Sequence, residues 1–356
     1  MGVSFARANQ SHRLQQHADS FVALRPVRLE PLFVPRIWGS RNLAPLFPEK
    51  QSLAEPVGEV WLTGNDCRFV DGPFAGEKLG DVWPRMNGQW AGDVASRERP
   101  FPVLVKFLFP EDKLSVQVHP DDDYARRHET AAGGVGKTEM WYVVSARPGA
   151  EVRVGLKPEV DRDTFRRAIV EGHAEKMLER IPVTAGDAVF VPAGTAHTIG
   201  PGMVLCEVQQ NSDVTYRVYD FNRRDAQGKP RELHIEKALD VIRFGKQHGG
   251  KISPRSHDAA RSTIVECAYF CVTKSSFSAP LQIKPGSGMQ IVVIIDGHGR
   301  FLAESTGETL DYAPAQVWLL PAATRAWTAT PQEATTLISI GLPERNLSRE
   351  NTVRQW

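Results

Sequence analysis

Two pairs of stretches far apart in the chain share the same pattern. "DAVFVPAGTAHTI" from Asp187 and "QVWLLPAATRAWT" from Gln316 both run from an apolar segment through Pro-Ala and a small-residue turn into a second strand start. "EMWYVVSARPG" from Glu139 resembles "QIVVIIDGHG" from Gln290 in the same way. Internal similarity of this kind is typical of a duplicated structural unit. The repeat therefore predicts two similar β-barrels in tandem.

Most of the remaining chain consists of short strand-like segments separated by Gly and Pro, among them "KLSVQVHP", "VLCEVQQN", "TYRVYDF" and "TTLISIGL". This spacing is typical of an all-β barrel or sandwich. Four segments have the polarity or the apolar spacing of helices, namely "DDDYARRHET", "EVDRDTFRRAIVEG", "AEKMLERI" and "ELHIEKALDVIRFG". The predicted fold is mainly β, with a few inserted α-helices.

Charge and hydropathy narrow the class of partner. The 356 residues carry a formal net charge of +1 and contain no Lys/Arg-rich block, which disfavours nucleic acid or a membrane surface as partner. No segment reaches the roughly 18 apolar residues of a membrane span, and the N-terminus lacks the apolar core of a signal peptide. We therefore expect a cytoplasmic protein that binds a small molecule. The four cysteines, Cys67, Cys206, Cys267 and Cys271, are predicted to be free thiols.

The stretch "AAGGVGKTEMWYVV", residues 131–144, resembles a nucleotide-binding P-loop. A P-loop follows a hydrophobic strand and opens directly into a helix, whose N-terminus binds phosphate. Here a polar segment precedes the glycines, and the aromatic and β-branched residues after them predict a strand. The glycines are therefore interpreted as a tight turn into a strand, which leaves Lys137 and Glu139 to be explained by other chemistry.

The first unit carries a set of potential metal ligands: Gln117, His119, Glu139 and His197. Gln117 and His119 are two residues apart, so on a strand their side chains leave the same face. Imidazoles with a carboxylate and an amide oxygen suit Zn²⁺ or another divalent first-row metal. In the second unit Gln290 replaces Glu139 and Ala326 replaces His197, while the apolar pattern is kept. The sequence thus predicts one metal per chain, in the first unit.

Four motifs resemble type I mannose-6-phosphate isomerases, the phosphomannose isomerase branch of the cupin superfamily: "FPVLVKFLFPEDKLSVQVHPDDDYA", "GKTEMWYVV", "VPAGTAHTIG" and "EVQQNSDVTYRVYDFNR". The resemblance extends from about Leu29 to about Leu342. It implies two tandem cupin-type barrels (double-stranded β-helices), a catalytic one at 25–250 and a degenerate one at 255–345. Residues 1–24 match nothing in the family and are expected to be a disordered extension. The implied metal is usually zinc, bound by the four residues named above.

The implied activity is the interconversion of mannose 6-phosphate and fructose 6-phosphate through an enediolate, which requires a base, an oxyanion stabiliser and an acid. By resemblance, the residues around the sugar phosphate would be Lys106, Ser115, Lys137, Glu207 and Arg217. Arg217, Lys137 and Glu207 are the catalytic candidates, and Ser115, Lys106 and Lys137 the phosphate ligands. The base could be Glu207 or a metal-organised water. Some relatives carry a histidine where this chain has Gly136, so a mechanism through that histidine does not transfer.

Two other functions fit part of the pattern. Two histidines and a carboxylate also occur in non-haem iron oxygenases, although the additional Gln117 and the nearby cations disfavour that chemistry. A sugar-phosphate-binding cupin without turnover is the second alternative, and intact Lys137, Glu207 and Arg217 disfavour it. Either a monomer or a homodimer is compatible with the sequence.

Overall fold

The computed structural model describes residues 24–92, 100–224, 228–245, 249–283, 288–303, 307–324 and 326–342. The extension expected at residues 1–24 lies outside this part of the chain, apart from Leu24. Within the described residues no helix is both long and apolar enough to cross a bilayer.

The strands of the first part of the chain, numbered in order, are β1 (Val27–Leu29), β2 (Leu32–Ser40), β3 (Val57–Trp61), β4 (Val103–Leu108), β5 (Val116–Val118), β6 (Glu139–Ala146), β7 (Glu151–Leu156), β8 (Leu178–Pro182), β9 (Ala188–Val191), β10 (His197–Ile199), β11 (Met203–Gln210), β12 (Tyr216–Tyr219) and β13 (Gly250–Ile252). The α-helices are α1 (Leu79–Val82), α2 (Gly88–Ala91), α3 (Asp122–His128), α4 (Arg162–Val170) and α5 (Ile235–Val241). Single 3₁₀ turns lie at Gly72–Phe74, Trp83–Arg85, Thr130–Ala132 and Ala174–Met177.

The later strands are β14 (Arg255–Ser256), β15 (Arg261–Glu266), β16 (Cys271–Phe277), β17 (Leu281–Ile283), β18 (Gln290–Asp296), β19 (Gly299–Ala303), β20 (Thr309–Tyr312), β21 (Val317–Leu320), β22 (Trp327–Pro331) and β23 (Thr335–Gly341). The mainly β prediction is confirmed.

The strands form four sheets. Sheet I has the order β12-β5-β10-β7-β8, and sheet II has the order β13-β9-β6-β11-β4-β3-β2. Sheet III has the order β1-β21-β18-β23-β16-β15-β14, and sheet IV has the order β17-β22-β19-β20. Strand β1 joins sheet III by pairing with β21, although it precedes every strand of sheets I and II in the chain. The division of the chain at 25–250 and 255–345 remains a prediction.

The sheets are layered in the order I, II, III, IV. In the two inner sheets, II and III, alternate residues of a strand belong to the apolar cores on opposite sides of the sheet. On β11, Leu205 belongs to the core shared with sheet I, whereas Cys206 belongs to the core shared with sheet III. On β18, Ile291 packs toward sheet II and Val292 toward sheet IV. Because successive strand residues point to opposite faces, both faces of sheets II and III are covered. Sheet II therefore has no solvent-facing side over its central strands.

Helices α4 and α5 cover the outer face of sheet I. Phe165 and Ile169 of α4 and Leu239 of α5 share an apolar cluster with Val116 and Val118 of β5. The side chain of Asp161 caps α4 by accepting a hydrogen bond from the Thr164 amide at 2.8 Å. The helices predicted at α3, α4 and α5 are confirmed. Since Val116 and Val118 face these helices, Gln117 between them faces sheet II.

One predicted helix is wrong. "AEKMLERI" forms a single 3₁₀ turn and then strand β8, which pairs with β7 at the edge of sheet I. A helix of this length is marginal alone, and the hydrogen bonds offered by β7 outweigh the helical spacing of the apolar residues. The four cysteines are free thiols, as predicted; Cys67 and Cys206 are buried, and Cys267 and Cys271 are half-buried.

Candidate metal centre and substrate pocket

The candidate metal ligands come from two facing sheets. Strand β5 of sheet I carries Gln117, with His119 just beyond its end, and β10 beside it begins at His197, which is directly opposite Gln117. Glu139 is the first residue of β6 in sheet II. The alternation that directs Val116 and Val118 outward turns Gln117 between them inward. The sandwich therefore places imidazoles from one sheet against a carboxylate from the other.

The three titratable residues converge closely. Glu139 Oε2 lies 3.5 Å from His119 Nε2, and Glu139 Oε1 lies 3.2 Å from His197 Nε2. One ligand atom from each of these three residues can be chosen so that all lie within 4.8 Å of one another. All three side chains are buried, with residue exposures of 1% or less. The structure therefore brings three of the four candidate metal ligands together.

The far side of each imidazole is held by backbone. Nδ1 of His119 is 2.8 Å from the Val214 carbonyl, and Nδ1 of His197 is 2.9 Å from the Thr195 carbonyl. Donation from Nδ1 leaves Nε2 with a free lone pair, as in most histidine metal ligands. Burial lowers the pKa of His197 to about 4, and burial followed by Lys137 lowers the pKa of His119 well below its usual value. Both rings are therefore neutral near pH 7.

The donor set fits a divalent cation. His119 Nε2 and Glu139 Oε2 are buried and make no hydrogen bond within the described part of the chain. Burial, followed by the nearby Glu207 carboxylate, raises the pKa of Glu139 to about 8. Buried groups of this kind are costly unless they are paired or bind a metal. A cation between the three residues would satisfy both orphaned atoms and favour the charged form of the Glu139 carboxylate.

The Gln117 side chain lies beside the three converging residues. Its Nε2 is 3.2 Å from His197 Nε2, and its Oε1 accepts a hydrogen bond from the Ser115 hydroxyl at 3.3 Å. A half-turn of the amide would present Oε1 instead of Nε2 to the space between the imidazoles. The amide is therefore placed to supply a fourth, oxygen ligand.

The turn before β6 sets the position of Lys137. Gly133 and Gly134 have φ of 85° and 61°, a region that glycine adopts without strain. Gly136 packs so closely on the start of α3 that an added Cβ would lie 2.6 Å from the Asp121 carbonyl carbon, so a side chain there requires a shift of backbone. The Lys137 ammonium reaches to 3.6 Å from Glu139 Oε2. The stretch leads into a strand, as predicted, and not into a helix.

A second buried ion pair stands beside the metal residues. Lys106 Nζ lies 2.9 Å from Glu207 Oε2, and the Trp141 indole donates to Glu207 Oε1 at 2.8 Å. Burial alone would raise the pKa of Glu207, but Lys106 and Lys137 outweigh it and lower the pKa. The Trp141 ring also contacts the His197 ring edge-on, with centroids 5.5 Å apart. Trp141 thus links the carboxylate of the ion pair to the metal residues.

The half-buried Arg217 and the buried Ser115 lie at one side of the cluster. Arg217, on β12, lies opposite Gln117 and donates from Nε to the Ser115 hydroxyl at 3.3 Å. Its Nη1 donates to the Glu232 carbonyl at 3.1 Å. Burial and then Arg231 lower the pKa of Arg217, although a guanidinium stays protonated at physiological pH. All nine site residues predicted from the sequence therefore lie in one connected cluster.

Several side chains around this cluster were not among the residues predicted from the sequence. Trp141 could have been found, because it shares a strand face with Glu139. Glu59 on β3 is 9% exposed, contacts Lys106 and accepts a hydrogen bond from the Trp61 indole at 2.7 Å. Arg36 pairs with Glu59. A lone charge in an alternating strand normally indicates a solvent-facing position, so these residues carried no usable signal.

Comparison with known proteins identifies the family. No family model matches the chain. It is 35% identical to mannose-6-phosphate isomerase ManA of Bacillus subtilis over 287 residues, which cover 78% of this chain and 88% of that protein. It is 37% identical to a mannose-6-phosphate isomerase of Streptococcus mutans, over 76% of this chain and 86% of that protein. The chain belongs to the mannose-6-phosphate isomerase family.

Solved structures of mannose-6-phosphate isomerases share the fold. The B. subtilis enzyme superposes with a TM-score of 0.80 at 32% identity, covering 89% of this chain and 99% of that one. A mannose 6-phosphate isomerase with bound zinc and yttrium superposes with a TM-score of 0.66 at 16% identity, over 89% of this chain and 99% of that one. The cupin fold expected from the motifs is confirmed.

Proposed function

We propose that the chain is a metal-dependent aldose–ketose isomerase that interconverts mannose 6-phosphate and fructose 6-phosphate. The observation that carries this is the buried His119–Glu139–His197 cluster, with lysines and an arginine around it, in a chain of this family. A neutral pair of imidazoles supplies metal ligands, and the surrounding cations suit a dianionic sugar phosphate.

The proposed metal is Zn²⁺, one per chain, held by His119, Glu139, His197 and the Gln117 amide oxygen. Two imidazole nitrogens, a carboxylate and an amide oxygen are a donor set that zinc accepts readily, and other divalent first-row ions share the preference. The zinc-containing relative of the same fold supports this choice. When bound, such a cation supplies Lewis acidity toward the sugar oxygens.

Glu207 is proposed to exchange the proton between C2 and C1. Glu139 would bind the metal and so would not be available as the base. Glu207, the carboxylate that interacts with Glu139, is left for that role. The sequence resemblance assigned Lys106 to the phosphate, but its ammonium lies between two carboxylates, 2.9 Å from Glu207 Oε2 and 3.6 Å from Glu59 Oε2. We therefore propose that Lys106 holds Glu207, and that Lys137 and Ser115 bind the phosphate.

Arg217 is proposed to stabilise the enediolate oxygens. A guanidinium is a permanent cation with a planar set of donors, and here Nε and Nη1 are already anchored by Ser115 and Glu232. Such anchoring fixes the plane of the remaining donors before the substrate arrives, which is what transition-state stabilisation requires.

One coupled assay tests the function. Purified protein should form fructose 6-phosphate from mannose 6-phosphate, lose this activity after dialysis against a chelator, and regain it with Zn²⁺. Mg-ATP should not be hydrolysed, and no oxygen should be consumed. Isomerisation that survives complete metal removal would contradict the metal-dependent mechanism, and oxygen uptake would favour the iron oxygenase.

Replacing Arg217 with Lys should lower kcat about tenfold and leave metal content unchanged. Lysine keeps the charge but loses the planar fork, and one charge-assisted hydrogen bond contributes about 1.5–3 kcal/mol. Steady-state kinetics and metal analysis measure the two quantities. Arg153→Lys is the control, because Arg153 on β7 is also half-buried and is paired with Glu151 and Glu175. An unaltered kcat in Arg217→Lys would show that this arginine is structural.

A cytoplasmic location is part of the same proposal. A dianionic sugar phosphate does not cross a hydrocarbon layer unaided, so the enzyme is expected in the compartment where that substrate is made.

A further inference from the structure

A row of alternating charges crosses sheet II on the face that points toward sheet I. It begins with Arg36 on the edge strand β2, continues through Glu59 on β3 and Lys106 on β4, and ends at Glu207 on β11. Glu59 Oε2 is 3.6 Å from Lys106 Nζ, which in turn is 2.9 Å from Glu207 Oε2. The row thus connects the edge of the sheet with the proposed proton-transferring carboxylate.

Glu59 is the most firmly held member of the row. Arg36 donates to both of its carboxylate oxygens, at 3.1 Å from Nε and 3.2 Å from Nη2, and the Trp61 indole adds a third bond at 2.7 Å. Burial alone would raise the pKa of Glu59, but Lys106 and Arg36 outweigh it and hold the pKa at about 2. Glu59 is therefore a fixed negative charge with a fixed orientation.

Lys106 needs such a partner. Its side chain is long and flexible, and its ammonium is a point charge that does not define a direction. On one side, Lys106 lies opposite Glu207 of β11. On the other side it lies opposite Trp61 of β3, and Glu59 is two residues before Trp61 on the same face of that strand. The two carboxylates therefore hold the ammonium from both sides, and the bidentate arginine keeps the outer carboxylate from turning away.

We propose that Glu59 is a positioning residue for the isomerisation: fixed by Arg36 and Trp61, it holds the Lys106 ammonium against Glu207 and thereby sets where the Glu207 carboxylate lies. The inference rests on the proposed function of Glu207. Glu59 acts through Lys106 and is not itself a catalytic residue.

The first test is Glu59→Gln, which keeps the size of the side chain but removes the charge and replaces one acceptor oxygen with an amide donor. We expect kcat to fall about tenfold, with metal content and KM close to wild type. Glu59→Asp keeps the charge and should retain more activity; it also carries the test if the glutamine variant does not fold. Glu151→Gln, at a carboxylate that pairs with Arg153 and Arg180 on sheet I, should leave kcat unchanged. A folded, metal-loaded Glu59→Gln protein with wild-type kcat would overturn the inference.

A double-mutant cycle tests the route through Lys106. In a Lys106→Met background, Glu59→Gln should cause no further loss of the single-turnover rate constant, measured at high enzyme concentration, because the ammonium that Glu59 positions is already absent. The same fold loss in both backgrounds would mean that Glu59 acts independently of Lys106, as a general structural defect would, and would refute the proposal.

A crystal structure of Glu59→Gln decides the positioning without reference to activity. The Lys106 Nζ to Glu207 Oε2 distance should lengthen from 2.9 Å, whereas an unmoved ion pair would overturn the inference. Wild-type protein that binds metal but does not isomerise mannose 6-phosphate would refute the proposed function and the catalytic half of this inference. The distance between Lys106 Nζ and Glu207 Oε2 in the Glu59→Gln structure would still test whether Glu59 positions Lys106.

Discussion

Replacing His119 or His197 with alanine is expected to abolish stoichiometric metal binding and to lower kcat for mannose 6-phosphate by about 100-fold or more. Each change removes one neutral imidazole from a site whose other members are buried and converge within 4.8 Å. Loss of a partner outside the ligand shell already costs roughly 10–100-fold in comparable sites, and loss of a ligand should cost at least as much. Metal analysis of purified protein and steady-state kinetics measure the two effects.

The control for this experiment is His257→Ala, which removes an imidazole hydrogen-bonded to Thr263 in sheet III, away from the site. It should keep one metal per chain and wild-type kcat. The wild type should also bind one ion and not two, since Gln290 and Ala326 stand where the first unit has Glu139 and His197. Full metal content in both histidine variants would refute the ligand assignment.

Shortening Lys137 to Ala is expected to leave the metal in place and to lower kcat/KM for mannose 6-phosphate by about tenfold to 100-fold. Lys137 is 5% exposed and its ammonium lies 3.6 Å from Glu139 Oε2, so it stands beside the proposed metal site without being a proposed ligand. One charge-assisted contact with a phosphate contributes about 1.5–3 kcal/mol, and each 1.4 kcal/mol is a factor of ten.

Lys113→Ala is the control, because Lys113 also pairs with a carboxylate, Glu175, but its side chain is 42% exposed and pairs with neither Glu139 nor Glu207 in the described part of the chain. It should keep wild-type kinetics. Lys137→Ala with full metal content and unaltered kcat/KM would show that Lys137 does not bind the substrate. Loss of the metal in this variant would instead indicate that the lysine supports Glu139, and the phosphate assignment would fail.

The local pattern of the sequence was sufficient for most strands and for the metal cluster. Strand alternation alone places Gln117 and His119 on one face, and the repeat singles out Glu139 and His197 as residues that the second unit lacks. Their convergence depends only on two facing strands of a sandwich, which the strand pattern already predicts. The family resemblance supplied the remaining candidates, including Lys106.

Other features depend on contacts that no local pattern contains. "AEKMLERI" has helical spacing, yet its second half forms a strand because β7 offers an edge for pairing. Glu59 alternates with Val60 as a solvent-facing residue would, but it is buried because sheet I covers that face of sheet II. The family resemblance placed Lys106 among the phosphate ligands, and no sequence pattern indicates its contact with Glu59, which lies on another strand.

The double coverage of sheet II restricts how this chain can change in length. On β11, Leu205 and Glu207 face sheet I, while Cys206 and Val208 face sheet III. A single inserted or deleted residue in this strand would exchange the two sets, turning a carboxylate into the apolar layer and a thiol into the pocket. Such an insertion or deletion would therefore abolish both folding and activity. We therefore expect natural length variation among related chains to be confined to the connecting loops, with β4, β6 and β11 keeping their lengths.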